Sequence, residues 1–263
     1  MIYTTLLRSV FRALYGEPSD AAMGSALVVV ADGVGGLDLC GTALRHVAAA
    51  EGAALDVRMR AWGHGLGRWH ADLTNVANHE VQAAAIAAEV HVFRAEHPDI
   101  PAFLVGKSGG TGVVVRALEA LPAGSVEAAV LLAPALSPGY DLSRALRAVR
   151  REMVVFYSPL DVFVLGLGTR LFGTIDRVRS VSAGLVGFRP PPGLDESGRL
   201  EYAKLRQVKW GPAMAGTGYL GGHVGPDLPA FLRRYVLPIL RPATAIAGES
   251  EALSSRPRDA PIT

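Results

Sequence analysis

The sequence contains little cysteine, little net charge and no long apolar run, and each shortage excludes a class of protein. Cys40 is the single cysteine among 263 residues, so no disulfide can form within the chain, and a reducing, cytoplasmic compartment is expected. The formal net charge is +2 and no block of lysine or arginine is present, so we expect no nucleic-acid partner. No run of about 18 apolar residues occurs, which predicts no membrane-spanning helix.

Apolar residues are abundant, but they occur in short runs separated by helical patterns. Half of the residues are hydrophobic, which suits one sizeable core. The apolar runs predict six strands, at 26–33, 54–62, 101–106, 126–134, 152–158 and 205–210. Helical patterns predict helices at 37–52, 77–96, 110–122, about 141–150 and 226–240. Because strands alternate with helices, we expect an α/β fold with a mostly parallel sheet of about six strands and helices on both faces.

The two ends of the chain differ from this domain, which we assign to residues 17–240. Residues 1–16 predict an amphipathic helix, whose apolar residues share one face within 2–15. Two interpretations fit this helix: packing on the domain or on a second subunit, giving a dimer, or peripheral contact with a membrane surface. Only two basic residues are present, which favours the first. Residues 241–263, rich in Pro, Ala, Ser and charge, predict a disordered tail, and 189–200 an exposed loop.

The stretch LVGKSGGTG at 104–112 has two interpretations, of which a phosphate-binding loop is the first. A P-loop reads G-x-x-x-x-G-K-[S/T], but Pro101 occupies the position of its first glycine. A dinucleotide-binding loop after the first strand is also incomplete, because Asp38 occupies the position of its third glycine and would repel a pyrophosphate. We therefore predict no cofactor.

The second interpretation is a turn that presents a catalytic serine. Ser108 comes directly after a buried strand and directly before a helix, within the pattern G-x-S-x-G. Such a turn forces the serine into a strained conformation and needs small residues two positions to either side, where Gly106 and Gly110 stand. The following helix directs its N-terminal N–H groups toward the site, which favours a developing oxyanion.

A serine nucleophile needs a base, and the base needs an acid that orients it. His223 is the single histidine after Ser108 and lies in the glycine-rich loop before the last helix. Asp161 follows the fifth strand, which gives the order Ser, Asp, His at the carboxyl ends of strands. Asp176 is the rival candidate for the acid.

With these residues in place, the chain resembles the α/β-hydrolase family over roughly residues 26–240. The resemblance depends on GKSGG around Ser108, YSPLD with Asp161 and GGH with His223. It implies a Ser-His-Asp triad, and an oxyanion hole built from the backbone N–H groups of Val34 and Gly109. It also implies that the substrate is a small-molecule acyl compound, most simply a carboxylic ester that is cleaved through an acyl-enzyme. Acyl transfer, thioester cleavage and a non-catalytic interaction protein remain as alternatives.

Three features depart from the family pattern. Asp32 and Gly33 stand where His-Gly is frequent, Lys107 precedes the serine, and two of the usual eight strands are missing. Lys107 is interpreted either as an exposed neighbour of the site or as a residue that tunes substrate charge preference. No cap domain is expected, so the site would be open, with walls from residues 63–75 and 162–190.

The cysteine and the remaining histidines are interpreted as structural residues rather than as parts of a site. Cys40 is expected to be a buried small hydrophobe in a helix. His64 and His70 have no nearby cysteine, and the sequence HEVQA at 79–83 lacks the second histidine of H-E-x-x-H, so no metal site is predicted. Three further histidines are expected at solvated helix positions, namely His46, His91 and His97.

Overall fold

A computed structural model of the protein describes residues 25–65 and 67–241. The predicted N-terminal helix at 1–16 lies outside the described residues, as does the predicted tail apart from Arg241. Within the described ranges, no helix is both long and apolar enough to cross a membrane.

Six strands form one sheet, and every neighbouring pair in it is parallel. The strands are β1 (Ala26–Ala31), β2 (Leu55–Met59), β3 (Ala102–Lys107), β4 (Val126–Leu132), β5 (Val149–Tyr157) and β6 (Leu205–Lys209). Their spatial order is β2-β1-β3-β4-β5-β6. The predicted α/β class and the six-stranded parallel sheet are therefore confirmed.

Helical segments connect the strands. The α-helices are α1 (Leu39–Ala50), α2 (Trp69–Thr74), α3 (Val76–Glu96), α4 (Gly110–Ala120), α5 (Ser143–Ala148), α6 (Thr169–Phe172), α7 (Ala183–Val186), α8 (Glu196–Tyr202), α9 (Pro212–Ala215) and α10 (Pro229–Phe231). Two π-helical segments span Val162–Gly168 and Leu232–Val236, and two 3-10 segments span Gly225–Asp227 and Leu237–Leu240.

Two predictions of local structure, one helix and one loop, needed correction. The single helix predicted at 226–240 is broken, because proline lacks an N–H and fits only the first turn of a helix. Pro226 therefore lies in a 3-10 turn, and Pro229 begins a new helical segment. The loop predicted at 189–200 ends in α8, where the Asp195 side chain accepts a hydrogen bond from the N–H of Gly198 (2.7 Å) and caps the helix.

Both faces of the sheet are buried, as is usual for a parallel sheet. Because successive side chains of a strand point to opposite faces, each strand contributes to both core layers. On β3, Leu104 packs on one core cluster, whereas Phe103 and Val105 pack on the other. The same alternation puts Lys107, the last residue of β3, on the side of Phe103 and Val105. A charged side chain is thus directed into a mainly apolar layer near the carboxyl end of the sheet.

Candidate active site

Ser108 occupies a strained turn between β3 and α4. Its φ is +51°, in the left-handed region that costs a non-glycine residue about 1–2 kcal/mol. The turn is fixed on both sides: the Ser108 N–H donates to the carbonyl of Leu132 (2.9 Å), and the Ser108 carbonyl accepts from the N–H of Thr111 (3.1 Å). The serine side chain is thereby held at the carboxyl edge of the sheet.

The flanking glycines are required by close packing of the backbone. A Cβ atom on Gly110 would lie 2.1 Å from the carbonyl oxygen of Ala31, and one on Gly106 would lie 2.8 Å from Cα of Thr111. Both distances are shorter than real Cβ contacts, and the atoms involved belong to the main chain. These two positions explain physically why the G-x-S-x-G pattern tolerates nothing larger.

The structure brings Ser108, Asp161 and His223 together. Nε2 of His223 lies 2.9 Å from Oγ of Ser108, and Nδ1 lies 2.6 Å from Oδ2 of Asp161. Because an ionised carboxylate can only accept, Nδ1 carries the proton that is donated to Asp161, and Nε2 is left to accept the serine hydroxyl proton. Asp161 is buried just after β5, and His223 lies in the loop that follows β6 and α9.

The pKa of His223 is lowered below its ordinary 6.5. Burial of the ring is the largest cause, and the positive charge of Lys107 adds to it, while the hydrogen bond and charge of Asp161 oppose the shift. The imidazole is consequently neutral at neutral pH and can accept a proton there.

Val34 and Gly109, the two residues predicted to form an oxyanion hole, lie beside each other. A Cβ atom on Gly109 would come within 2.7 Å of Cγ1 of Val34. Among the described residues, neither backbone N–H has a hydrogen-bond acceptor. Both donors are thus unpaired within the described ranges, and Gly109 directly follows Ser108 in the chain.

Two buried aspartates fix the loop that contains Val34, and the sequence motifs gave no indication of this role. Asp32 accepts from the N–H groups of Gly33 (3.1 Å) and Gly41 (2.8 Å). Asp72 accepts from the N–H of Gly35 (2.7 Å). Asp32 thus ties the loop to the start of α1.

A cavity of about 210 Å³ opens beside Ser108 and His223. Most of its wall is apolar. The loop after β1 and the start of α1 contribute Val34, Leu37 and Leu39, and two later segments contribute Val164 and Val224. Of the segments expected to form the walls, 162–190 contributes Val164, whereas none of the described residues of 63–75 lines this cavity.

The cavity is also lined by a buried ion pair. Nζ of Lys107 donates to Oδ2 of Asp227 across 3.2 Å, and both side chains are almost fully buried. The interpretation of Lys107 as an exposed neighbour is therefore wrong. The pKa of Asp227 is raised to about 6. Burial is the largest cause, the charge and hydrogen bond of Lys107 oppose it, and the charge of Asp32 adds to it.

The rival acid lies elsewhere. Asp176 accepts hydrogen bonds from the N–H (2.9 Å) and hydroxyl (2.5 Å) of Ser137 and supports that loop. His64 pairs with Asp72 through Nδ1 (2.9 Å), so its role in the structure is to hold a loop. Within residues 25–65 and 67–241, no group of three or more His, Cys, Asp or Glu side chains could hold a metal ion.

The predictions for Cys40 and for the three helix histidines are only partly confirmed. Cys40 is buried as expected. The prediction of a solvated position is wrong for His46, which is buried with Nδ1 2.8 Å from the carbonyl oxygen of Thr42. His91 and His97 are exposed.

No protein-family model and no curated protein sequence matches the chain. Solved structures give similarities at low identity. A cutinase-like protein from Cryptococcus sp. is 13% identical, with 84% of this chain and 98% of that chain covered and a TM-score of 0.45. A poly(3-hydroxybutyrate) depolymerase from Bordetella parapertussis is 17% identical, with 89% and 86% covered and a TM-score of 0.47. A Trichoderma reesei cutinase in complex with a phosphonate inhibitor is 12% identical, with 92% and 90% covered and a TM-score of 0.41.

The topology defines the class of fold by itself. A parallel sheet, a strained serine turn between a strand and a helix, and the chain order Ser108, Asp161, His223 are features of the α/β-hydrolase fold. The geometry of the site, rather than the distant similarities, carries the functional proposal.

Proposed function

We propose that this protein is a serine hydrolase that cleaves a carboxylic ester through an acyl-enzyme. One observation carries the proposal: the His223 ring bridges Oγ of Ser108 (2.9 Å) and Oδ2 of Asp161 (2.6 Å). A nucleophile, a base and an orienting acid in hydrogen-bond contact are the arrangement that activates a serine. The ester is the substrate class that the family resemblance implies.

In the first half-reaction, Oγ of Ser108 attacks the ester carbonyl while Nε2 of His223 takes the hydroxyl proton. The carbonyl oxygen becomes an oxyanion, which accepts hydrogen bonds from the N–H groups of Val34 and Gly109. The bond to the alcohol oxygen then breaks, and the imidazolium returns its proton to the leaving alcohol. Asp161 holds the ring in the tautomer that this transfer needs and stabilises its positive charge.

In the second half-reaction, water replaces the alcohol. His223 takes a proton from the water, the hydroxide attacks the acyl carbon, and the acid product leaves as Ser108 regains its proton. The lowered pKa of His223 supports this role, because the base must be unprotonated at the start of each half-reaction.

Labelling with a fluorophosphonate tests the nucleophile. The wild type should be labelled covalently, and Ser108→Ala should not. If the folded wild type takes no label, Ser108 is not an activated nucleophile and the protein is a non-catalytic member of the fold.

A matched pair of variants tests the acid. Asp161→Asn should lower kcat for a p-nitrophenyl ester by about 10⁴-fold, because the wrong histidine tautomer is then favoured. Asp176→Asn, the same change in the rival residue, should leave kcat within about twofold, since Asp176 contacts Ser137 instead. Equal losses in the two variants would remove the assignment of Asp161.

The product distribution separates hydrolysis from the alternatives. With an ester substrate in water, release of acid and alcohol in equal amounts supports hydrolysis. Accumulation of a new ester when a second alcohol is present supports acyl transfer, and a higher kcat/KM for the matched thioester supports a thioesterase.

A further inference from the structure

Lys107 and Asp227 form a polar surface in a cavity that is otherwise mainly apolar, and Ser108 lines the same cavity. Resting on the proposed function, we propose that this pair binds a hydroxyl group of the substrate, so that the preferred substrate is a hydroxyl-bearing ester. The hydroxyl would accept a hydrogen bond from the Lys107 ammonium and donate one to the carboxylate of Asp227.

The hydrogen-bonding capacity of the pair is incompletely used. The Lys107 ammonium has three N–H donors, and its one hydrogen bond to a described residue goes to Oδ2 of Asp227. The second carboxylate oxygen, Oδ1, is buried and has no hydrogen-bond partner among the described residues. A buried acceptor without a partner is costly, so a rotation of the carboxylate that brings an oxygen of Asp227 to a donor on the ligand would be stabilising.

The charges around the pair favour a neutral group over an ion. Asp32 is buried close enough to raise the pKa of Asp227 through its charge, and it uses its two oxygens to accept from backbone N–H groups. With both aspartates ionised, the cluster carries one excess negative charge, which opposes a substrate carboxylate. The excess negative charge would attract a substrate ammonium, but an ammonium has no acceptor for the unused N–H groups of Lys107. A hydroxyl is both donor and acceptor, so it matches both members of the pair without adding a charge.

The cavity also limits the size of the substrate. Its volume of about 210 Å³ is below the roughly 300–1,000 Å³ of pockets for drug-sized ligands. Leucine and valine side chains line the same cavity as Ser108 and the pair. We therefore expect a substrate with a short carbon chain between the reacting carbonyl and the hydroxyl.

Isosteric esters, in which a methyl replaces the hydroxyl, test the inference and locate the hydroxyl. On the acyl side, p-nitrophenyl 3-hydroxybutanoate is compared with p-nitrophenyl 3-methylbutanoate. On the alcohol side, 2-hydroxyethyl butanoate is compared with propyl butanoate. We expect kcat/KM to favour the hydroxyl compound by about tenfold to a hundredfold on one side, as for a hydrogen bond to a charged group.

Variants connect the preference to the pair. In Lys107→Met/Asp227→Leu, which removes both charges together, the ratio of kcat/KM between the two isosteric esters should fall to about one. Lys209→Met is the matched control, because Lys209 is exposed and does not line the cavity. Its ratio should equal that of the wild type, and thermal unfolding of each variant verifies the fold.

The outcomes separate this inference from the proposed function. If the wild type hydrolyses all four esters without favouring a hydroxyl on either side, the hydroxyl site is refuted and the serine hydrolase stands. If the preference survives in the folded double variant, another group recognises the hydroxyl and the assignment to this pair is refuted. If fluorophosphonate fails to label Ser108 and none of the esters is cleaved, the proposed function fails and the inference fails with it.

Discussion

Replacing Asp227 with asparagine should remove a pH dependence of stability that the wild type has below pH 7. Burial raises the pKa of Asp227 from its ordinary 3.8 to about 6. The folded state therefore holds this proton more tightly than the unfolded state, and stability falls as the pH rises between about 4 and 6. A change of about two pH units in pKa corresponds to about 3 kcal/mol in the free energy of unfolding. The stabilising contribution is complete below pH 3.8 and is lost above about 6.

Urea unfolding of the wild type and Asp227→Asn, from pH 4 to pH 7.5, measures this quantity. The difference in unfolding free energy, wild type minus variant, should decrease by about 2.4 kcal/mol between pH 4 and 7, because other titrating groups largely cancel. Asp99→Asn is the control, since Asp99 is exposed, and its difference from the wild type should stay flat. When Lys107→Met is compared with Lys107→Met/Asp227→Asn, the decrease should continue to higher pH. The reason is that the lysine charge lowers the pKa of Asp227, so its removal raises that pKa. A difference that is constant for Asp227→Asn would refute the assignment of a raised pKa to this group.

Three further predictions concern the serine turn and its base. The acid limb of the pH profile of kcat/KM should have its midpoint below 6.5, because the pKa of His223 is lowered. Lys107→Met should move this midpoint upward, because loss of the cation stabilises protonated His223. A midpoint that the variant leaves unchanged would contradict this. Gly110→Ala should lower Tm strongly or abolish folding, because its Cβ would lie 2.1 Å from a backbone oxygen, whereas Gly139→Ala, with no atom within 4 Å, should leave Tm nearly unchanged. Ser108→Gly should be more stable than Ser108→Ala by up to about 1 kcal/mol in urea unfolding, because the φ of +51° is strained for alanine; a more stable alanine variant would mean that the turn is not strained.

The sheet could be predicted because its signal is local. Each buried parallel strand is a short apolar run, and each is bounded by residues that break the run. The serine turn could be predicted for the same reason, since the glycines that allow close backbone packing stand two positions from Ser108 in the sequence itself. The segment at 226–240 was misjudged because its apolar spacing is helical, while its prolines permit only separate short helical segments.

The oxyanion-loop support and the buried ion pair could not be predicted, because both depend on contacts between distant parts of the chain. Asp72 binds the N–H of Gly35 across 37 residues, and Lys107 meets Asp227 across 120 residues. A lysine beside a site motif is exposed in most proteins, so its type alone favoured the wrong interpretation. The spacing GGHVGPD does place an aspartate four residues after His223, and this was the one available signal.

The position of Lys107 follows from strand alternation, and this couples substrate recognition to placement of the base. The last residue of β3 must direct its side chain to the face of Phe103 and Val105, beneath the loop that continues from His223. A cation in that layer requires a buried counter-ion, and the same loop supplies it as Asp227, whose Oδ2 the lysine binds. Contact between Lys107 and Asp227 therefore ties the histidine loop to the strand that ends at the nucleophile. A substitution at position 107 should consequently change both the pH profile set by His223 and the preference for a hydroxyl, whereas a change confined to the cavity walls should alter substrate size preference alone.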